Sequence, residues 1–188
     1  MNKPLNPYQI TNLVRTLGRI KDLRRNGWIK REVSSPESDA EHMYAVALEV
    51  LLLAPGHLDR CHCLELALTH DLPEIYASDI LPGEMTADKK YQTELAAARQ
   101  LTQELEFPEL LDWFIEFETQ STPESRFVKC LDKMDNVVTA AYYEQEKRNK
   151  QPLMEEFSAN ALCNIENLSC QDKDICQQII NFLRSGKN

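Results

Sequence analysis

The amino-acid sequence predicts an all-α protein, and three observations favour that class. Apolar residues recur at spacings of three and four along most of the chain, which is the period of an amphipathic helix. No segment shows the strict alternation of a half-buried strand. Five glycines in 188 residues are few for a glycine-rich β or nucleotide-loop architecture. We therefore expect one domain of packed helices over residues 1–188, since this length suffices to bury a core.

The first half of the chain contains three predicted helices. Apolar periodicity places the first over residues 9–24, and a polar loop over 31–37 follows it. The segment Ser38-Asp39-Ala40-Glu41 has the form of a capping box, so a second helix should begin there and continue to Ala54. A third covers 59–72 and should break at Pro73, which lacks a backbone donor.

The second half contains five more predicted helices. The loop over 80–87 contains Pro82 and Gly83 and is the best candidate for a mobile loop over a pocket. Helices over 89–106 and 109–118 follow it. Thr122 and Pro123 suit the start of a long helix that continues to about residue 146. Helices over 153–165 and 172–184 complete the chain.

Composition limits the possible functions and locations. A formal net charge of −9 disfavours a surface that binds a nucleic-acid polymer, although a local cluster of Arg and Lys would still admit a small anionic substrate. The first ten residues lack a signal-peptide layout, and no apolar run is long enough to span a membrane. The six cysteines have no repeated spacing, so we expect reduced thiols in a cytoplasmic protein.

Two histidines and two aspartates are the most informative side chains. His42, His70, Asp71 and Asp132 occur within apolar helical patterns, where an unpaired charge is costly to bury. Two imidazoles and two carboxylates form a donor set that suits a divalent transition metal. Singly, each has a simpler interpretation, since a lone helical histidine is more often a hydrogen-bonded structural residue. Spacing alone does not distinguish Asp132 from Asp135 as a ligand.

Four motifs carry a resemblance to a known family. They are Glu41-His42-Met43-Tyr44, His70-Asp71-Leu72-Pro73-Glu74, Ser78-Asp79-Ile80, and the segment from Thr122 to Lys133. In their order and spacing they resemble the HD superfamily of metal-dependent phosphohydrolases, and within it the 5′-deoxynucleotidases. The resemblance covers residues 13–146, with the helices of 152–184 outside it. It implies an HD-domain helical bundle that hydrolyses deoxyribonucleoside 5′-monophosphates.

The resemblance also implies roles for individual residues. One divalent ion (Mn, Co, Fe, Zn or similar) would be bound by His42, His70, Asp71 and Asp132. Glu74 would act as the acid or base near the attacking water, and Asp79 would contact the sugar 3′-hydroxyl. Arg25 and Trp28 would help to hold the substrate, with Arg24 as the alternative to Arg25. A homodimer is implied as well.

Other interpretations stay open from the sequence. No histidine follows His70, which favours one metal over the two-metal enzymes of the superfamily. Cys61-His62-Cys63 with His57 is a weak candidate for a structural zinc site, because its spacing departs from the usual Cys-x2–4-Cys. Lys129 and Lys133 suit surface ion pairs better than phosphate contacts. The chain is alternatively an HD phosphohydrolase for another nucleotide or phosphomonoester, or a metal-binding regulatory protein without turnover.

Overall fold

The computed structural model describes residues 4–81, 83–167 and 173–186. Within them the chain forms ten helices: α1 (Pro7–Asp22), α2 (Asn26–Lys30), α3 (Asp39–Leu53), α4 (Arg60–Ala67), α5 (Glu74–Ala77), α6 (Ala87–Leu105), α7 (Glu109–Thr119), α8 (Pro123–Gln145), α9 (Met154–Asn167) and α10 (Lys173–Arg184). One isolated antiparallel bridge joins Arg24 and Ser38 in the described chain. The all-α prediction is confirmed.

The predicted helix starts agree with the caps that form. The Ser38 side chain accepts from the backbone N–H of Glu41, and the Glu41 carboxylate accepts from the backbone N–H of Ser38. Thr122 caps α8 with Pro123 at its first position. These bonds satisfy backbone donors that a helix start leaves unpaired, which explains why the sequence signals were reliable here.

The short helices α2 and α5 were not predicted, and the third predicted helix is shorter in the structure than the sequence indicated. The third predicted helix ends at Ala67 rather than at residue 72, so His70 and Asp71 lie in a series of tight turns. In this segment the backbone N–H of Leu72 donates to the carbonyl of Thr69 at 3.1 Å, and that of Glu74 donates to the carbonyl of Asp71 at 3.0 Å. Such i→i−3 bonds tighten the chain before the short helix α5 begins.

The long helix α8 lies at the centre of the bundle. It packs against α3, α4, α7, α9 and α10. The largest apolar cluster is formed around it by Val50, Leu66, Phe117, Leu131 and Ile180, among others. Because α8 also carries Asp132 and Asp135, the core fixes the positions of these carboxylates relative to α3 and the turn after α4.

Two further predictions concern the cysteines and the membrane. None of the five cysteines in the described ranges forms a disulfide, while Cys170 lies outside those ranges, as does Pro82 of the predicted loop. Among the described helices, none has both the length and the apolar character that crossing a bilayer requires.

Candidate active site

Two buried imidazoles face each other at the base of a cavity. The Nε2 atoms of His42 and His70 are 3.4 Å apart. On the outer sides of the rings, His70 Nδ1 lies 3.0 Å from the Ala67 carbonyl oxygen and His42 Nδ1 lies 2.7 Å from an Asp135 carboxylate oxygen. A proton on each Nδ1, donated to these acceptors, would leave an Nε2 lone pair on each ring directed inward.

The inward-facing atoms fit one metal ion. His42 Nε2 lies 3.5 Å from an Asp132 oxygen and 3.7 Å from an Asp71 oxygen, and that Asp71 oxygen is 3.5 Å from His70 Nε2. Donor atoms at about 2.1 Å from a tetrahedral ion would lie about 3.4 Å from one another. Two lone pairs and two carboxylates at this spacing repel each other unless a cation lies between them.

The charge state of Asp132 supports the same interpretation. Burial alone would raise the pKa of this carboxyl, but the positive charges of Lys133 and Lys129 hold it well below its usual range. Lys133 Nζ lies 3.0 Å from one Asp132 oxygen. Asp132 is thus a carboxylate, the form that a metal ligand requires.

Arg25 and Asp71 form a partly buried ion pair beside the imidazoles. Arg25 donates to Asp71 at 2.9 Å and to the Asn136 side-chain oxygen at 3.3 Å. Its guanidinium also lies 3.7 Å from Glu37 and 3.8 Å from Asp39. Burial alone would lower the pKa of Arg25, but the surrounding carboxylates, Asp71 first, raise it instead. The cation is therefore permanent and held in place.

Glu74 has an environment different from that of the candidate ligands. Its carboxyl is buried, and one of its oxygens has no hydrogen-bond partner in the described chain. Oxygens of Asp39, Asp71 and Glu74 lie within 4.8 Å of one another. Burial raises the pKa of Glu74 well above its usual range, and the charges of Asp71 and Asp39 add to that effect. Such a carboxyl is able to hold a proton near neutral pH.

A strained residue sets the direction of Asp79. Ser78 has φ 65° and ψ 160°, a region that is almost confined to glycine. After this turn the Asp79 carboxylate accepts from the backbone N–H of Asn26 at 2.6 Å, and the Asp79 carbonyl accepts from the Asn26 side chain at 2.7 Å. The contact ties the end of α5 to the start of α2, so Asp79 faces the same cavity as Arg25.

One cavity of about 450 Å³ collects nearly all the residues that the sequence singled out. It is lined by Arg25, Trp28, His70, Asp71, Glu74, Asp79 and Asp132. His42 lies behind this surface and is fully buried. Arg24 points elsewhere: it is half exposed and pairs with Glu41 at 3.1 Å. The geometry therefore places Arg25, not Arg24, beside the candidate ligands.

Several residues at this site were missed from the sequence. Glu37 accepts from Trp28 Nε1 at 2.8 Å and lies beside Arg25, while Asp39 is fully buried. Asn136 donates to the Asp132 carbonyl at 2.7 Å and accepts from Arg25. The helical spacing of Asn136 from Asp132 was a usable signal. Nothing in the local pattern marked Glu37, because its partners lie on other elements.

The weaker alternatives from the sequence are resolved as follows. His62 contacts Glu65 at 3.0 Å and Glu116 at 2.9 Å, and Cys63 is fully buried, so this segment does not gather the proposed zinc ligands. Lys129 and Lys133 both form ion pairs, with Glu118 and Asp132 respectively, as the sequence favoured. Both lysines also line the cavity.

Comparisons with known proteins identify the family of this chain. The family model for the HD domain matches residues 17–169. A curated relative, the 5′-deoxynucleotidase HDDC2 of Bos taurus, is 36% identical over 152 residues, which cover 79% of this chain and 74% of the relative. The 5′-deoxynucleotidase YGK1 of Saccharomyces cerevisiae is 31% identical over 169 residues, with 85% and 77% covered.

A solved structure extends the likeness to the whole fold. The PH0347 protein of Pyrococcus horikoshii OT3 has a TM-score of 0.77 and 27% sequence identity, and the match covers 92% of this chain and 98% of that one. The family match extends from α1 to the end of α9 and includes every candidate ligand. The chain belongs to the HD domain family.

Proposed function

We propose that this protein is a metal-dependent 5′-deoxynucleotidase, which hydrolyses deoxyribonucleoside 5′-monophosphates to deoxynucleoside and phosphate. The observation that carries the proposal is the pair of inward-facing imidazole Nε2 atoms beside Asp71 and Asp132, at the base of a cavity that also contains a fixed Arg25. The curated relatives named above carry this activity in their names.

His42, His70, Asp71 and Asp132 would hold one divalent ion, and its identity among Mn, Co, Fe and Zn is left open by the donor set. A divalent ion supplies an activated water and neutralises phosphoryl charge, which the slow hydrolysis of a phosphate monoester requires. Asp135 orients His42, and the Ala67 carbonyl orients His70. These contacts direct both Nε2 atoms toward the ion.

The other cavity residues would bind the substrate and move the proton. Arg25 would attract the phosphate from its fixed position beside Asp71. Glu74, with its raised pKa, would either accept the proton of the attacking water or donate one to the leaving 5′-oxygen. Asp79 would accept a hydrogen bond from the 3′-hydroxyl, and the wall built by Trp28 would help to position the sugar. A lack of space for a 2′-hydroxyl would disfavour ribonucleotides.

The test is phosphate release from matched deoxyribo- and ribonucleoside monophosphates. Chelator-treated protein receives Mn²⁺ or Co²⁺, beside Asp71→Ala and the control Asp112→Ala, whose residue is exposed on α7. We expect release that needs metal, favours the deoxy series and is lost only in Asp71→Ala. Full activity of Asp71→Ala would end the proposal. Metal binding without release from any of these substrates would favour another phosphomonoester or a regulatory role.

Glu74 has its own test. Glu74→Gln keeps the volume of the side chain but cannot exchange a proton, so we expect kcat to fall by about 100-fold or more. Metal binding, measured by titration calorimetry, should stay close to that of the unmodified protein. Unchanged turnover in this variant would remove Glu74 from the proton-transfer step while leaving the proposed reaction standing.

We also propose a homodimer formed through α1 and α3. These neighbouring helices each carry exposed apolar side chains at helical spacing: Ile10, Leu13, Val14 and Leu17 on α1, and Tyr44, Leu48, Leu51 and Leu52 on α3. Apolar faces of this kind are typical of interfaces. A cytoplasmic location stays a prediction from the sequence.

Sedimentation velocity tests the dimer. We expect twice the 21.7 kDa chain mass for the unmodified protein and for Leu68→Glu, a control at an exposed apolar position after α4. Val14→Glu combined with Leu52→Glu should sediment as a monomer. A monomeric unmodified protein, or a dimer that survives both charges, would refute this interface.

A further inference from the structure

The cavity extends beyond the candidate metal ligands to a region that the sequence left without a function. This part of its lining is formed by Arg31 after α2 and by Phe157, Asn160 and Ala161 of α9. Arg31 follows Arg25 by six residues, and its guanidinium reaches back along α2 to the Gly27 carbonyl. We call Arg31, Phe157, Asn160 and Ala161 the distal subsite.

Arg31 is held in a defined plane within this subsite. Its guanidinium lies over the Phe157 ring, 4.8 Å from the ring centre. It donates to the Gly27 carbonyl at 2.7 Å and from Nε to Glu156 at 3.0 Å, and a third bond reaches the other Glu156 oxygen. A guanidinium has five N–H donors, and these bonds use three of them. The hydrogen bond with Glu156 also raises the pKa of Arg31.

We propose that the distal subsite binds the nucleobase of a nucleoside monophosphate, with Arg31 as the residue that contacts the base. The inference rests on the proposed function, because Arg31 lines the same cavity as Arg25 and Asp79, which would hold the phosphate and the sugar. A planar, fixed guanidinium stacks on an aromatic base, and its remaining N–H groups donate to base carbonyls or ring nitrogens.

A purely structural role for Arg31 makes a different prediction. The ion pair with Glu156 joins α2 to α9, so its loss would disturb the whole cavity and every substrate alike. Base contact affects only substrates that have a base. A substrate with the same sugar and phosphate but no base therefore separates the two roles, and 2-deoxyribose 5-phosphate has that structure.

The experiment compares kcat/KM for the four deoxyribonucleoside monophosphates and for 2-deoxyribose 5-phosphate. The proteins are the unmodified chain, Arg31→Ala, Arg31→Lys and Arg184→Ala. Arg184 pairs with Glu155 on α9 but lies outside the cavity lining, so it controls for the loss of an Arg–Glu pair on that helix.

We expect Arg31→Ala to lower kcat/KM for the nucleotides by about tenfold, the effect of one desolvated cation–π contact. The value for deoxyribose 5-phosphate should change by less than about twofold, and Arg184→Ala should change neither. Arg31→Lys keeps the charge and the aliphatic part of the side chain but lacks a planar guanidinium, so its kcat/KM for the nucleotides should fall as in Arg31→Ala. An equal fall for all substrates, or no fall, would overturn the inference.

Binding of deoxyadenosine and deoxycytidine, followed by calorimetry, gives a readout that does not need turnover. Binding that weakens in Arg31→Ala, together with an inactive unmodified protein, would support the base subsite and refute the proposed function. If the unmodified protein hydrolyses the nucleotides and Arg31→Ala does so with the same kcat/KM values, the proposed function would be supported and the base subsite refuted. Binding that is absent or indifferent to Arg31 would count against the subsite in either case.

Discussion

At the scale of single residues, Asp132 and Asp135 show how one helix supplies two carboxylates with different positions. Both lie on α8, and both contact His42, but on opposite sides of its ring. Asp132 faces Nε2 and the cavity, whereas Asp135 lies 2.7 Å from Nδ1 and is buried behind the ring. Asp135 therefore orients the imidazole and increases its basicity rather than facing the cavity.

This arrangement predicts the effect of Asp135→Asn. The amide still accepts a hydrogen bond from His42 but has lost the charge, so metal affinity should fall by about tenfold or more. Turnover at saturating metal should recover most of its value. Titration of chelator-treated protein with Mn²⁺ measures the change, and Asp132→Asn, which alters a candidate ligand directly, should lose more. An equal loss of metal affinity in Asp135→Asn and Asp132→Asn would contradict the assignment of Asp132 as a ligand and Asp135 as the residue that orients His42.

The residues that the sequence singled out lie close together in the structure, whereas several of their hydrogen-bond and ion-pair partners were not foreseen. His42, His70, Asp71 and Asp132 were singled out because imidazoles and carboxylates in apolar helical patterns are unusual, and the structure gathers them. Glu37 and Asp39 were missed, because their neighbours Trp28 and Arg25 lie on another element and no local spacing indicates the contact.

At the scale of elements, the predictions that agree with the structure are those that depend on contacts between residues close in sequence. The helix starts at Ser38 and Thr122 depend on bonds between residues three apart, which a sequence displays directly. The five-residue α2 and the four-residue α5 are too short for a periodic pattern. Both are held by long-range contacts such as the bond from Asn26 to Asp79, and such contacts are not visible in a window of sequence.

The contact between α4 and α7 gives a prediction with a defined pH dependence. His62 on α4 contacts Glu116 on α7 and Glu65 one turn away. Partial burial lowers the pKa of His62, but its hydrogen bonds with Glu65 and Glu116 outweigh burial and raise the pKa. A histidine whose folded-state pKa is raised stabilises the fold fully below its unfolded pKa, and this contribution disappears as the pH rises through the folded value.

His62→Gln should therefore lower the melting temperature most at about pH 5.5 and least at about pH 9, on either side of the usual histidine range. Thermal unfolding followed by circular dichroism at several pH values measures the difference. In a Glu116→Gln background the effect at low pH should shrink, because the main interhelical partner is gone. A loss that is independent of pH would mean that packing, not charge, accounts for the role of His62.

At the scale of the whole molecule, the sequence predicted the order of the long helices but not the role of α9. The apolar face of α9 was visible as a pattern, yet a pattern does not say which surface that face covers. In the structure, Ala161 and Ile165 join the main core, while Phe157 packs against Trp28 at 4.5 Å and lines the cavity. A helix outside the recognised motifs thus completes the wall of the site.

The same packing bears on the prediction of a single domain. Ile180 of α10 is fully buried in the cluster that also contains residues of α3, α4 and α8. If the helices unfold as one unit, Ile180→Ala should lower the free energy of unfolding by about 2–5 kcal/mol. Tryptophan fluorescence and circular dichroism should then report the same decrease. The unfolding midpoint seen by the fluorescence of Trp28 and Trp113, which lie on α2 and α7, should shift together with the midpoint seen by circular dichroism.

Phe182→Ala, at a half-exposed position of α10, is the control, and its free energy of unfolding should stay within about 0.5 kcal/mol of that of the unmodified protein. A tryptophan transition that does not respond to Ile180→Ala would instead mean that α10 unfolds separately, and the single-domain prediction would then be wrong.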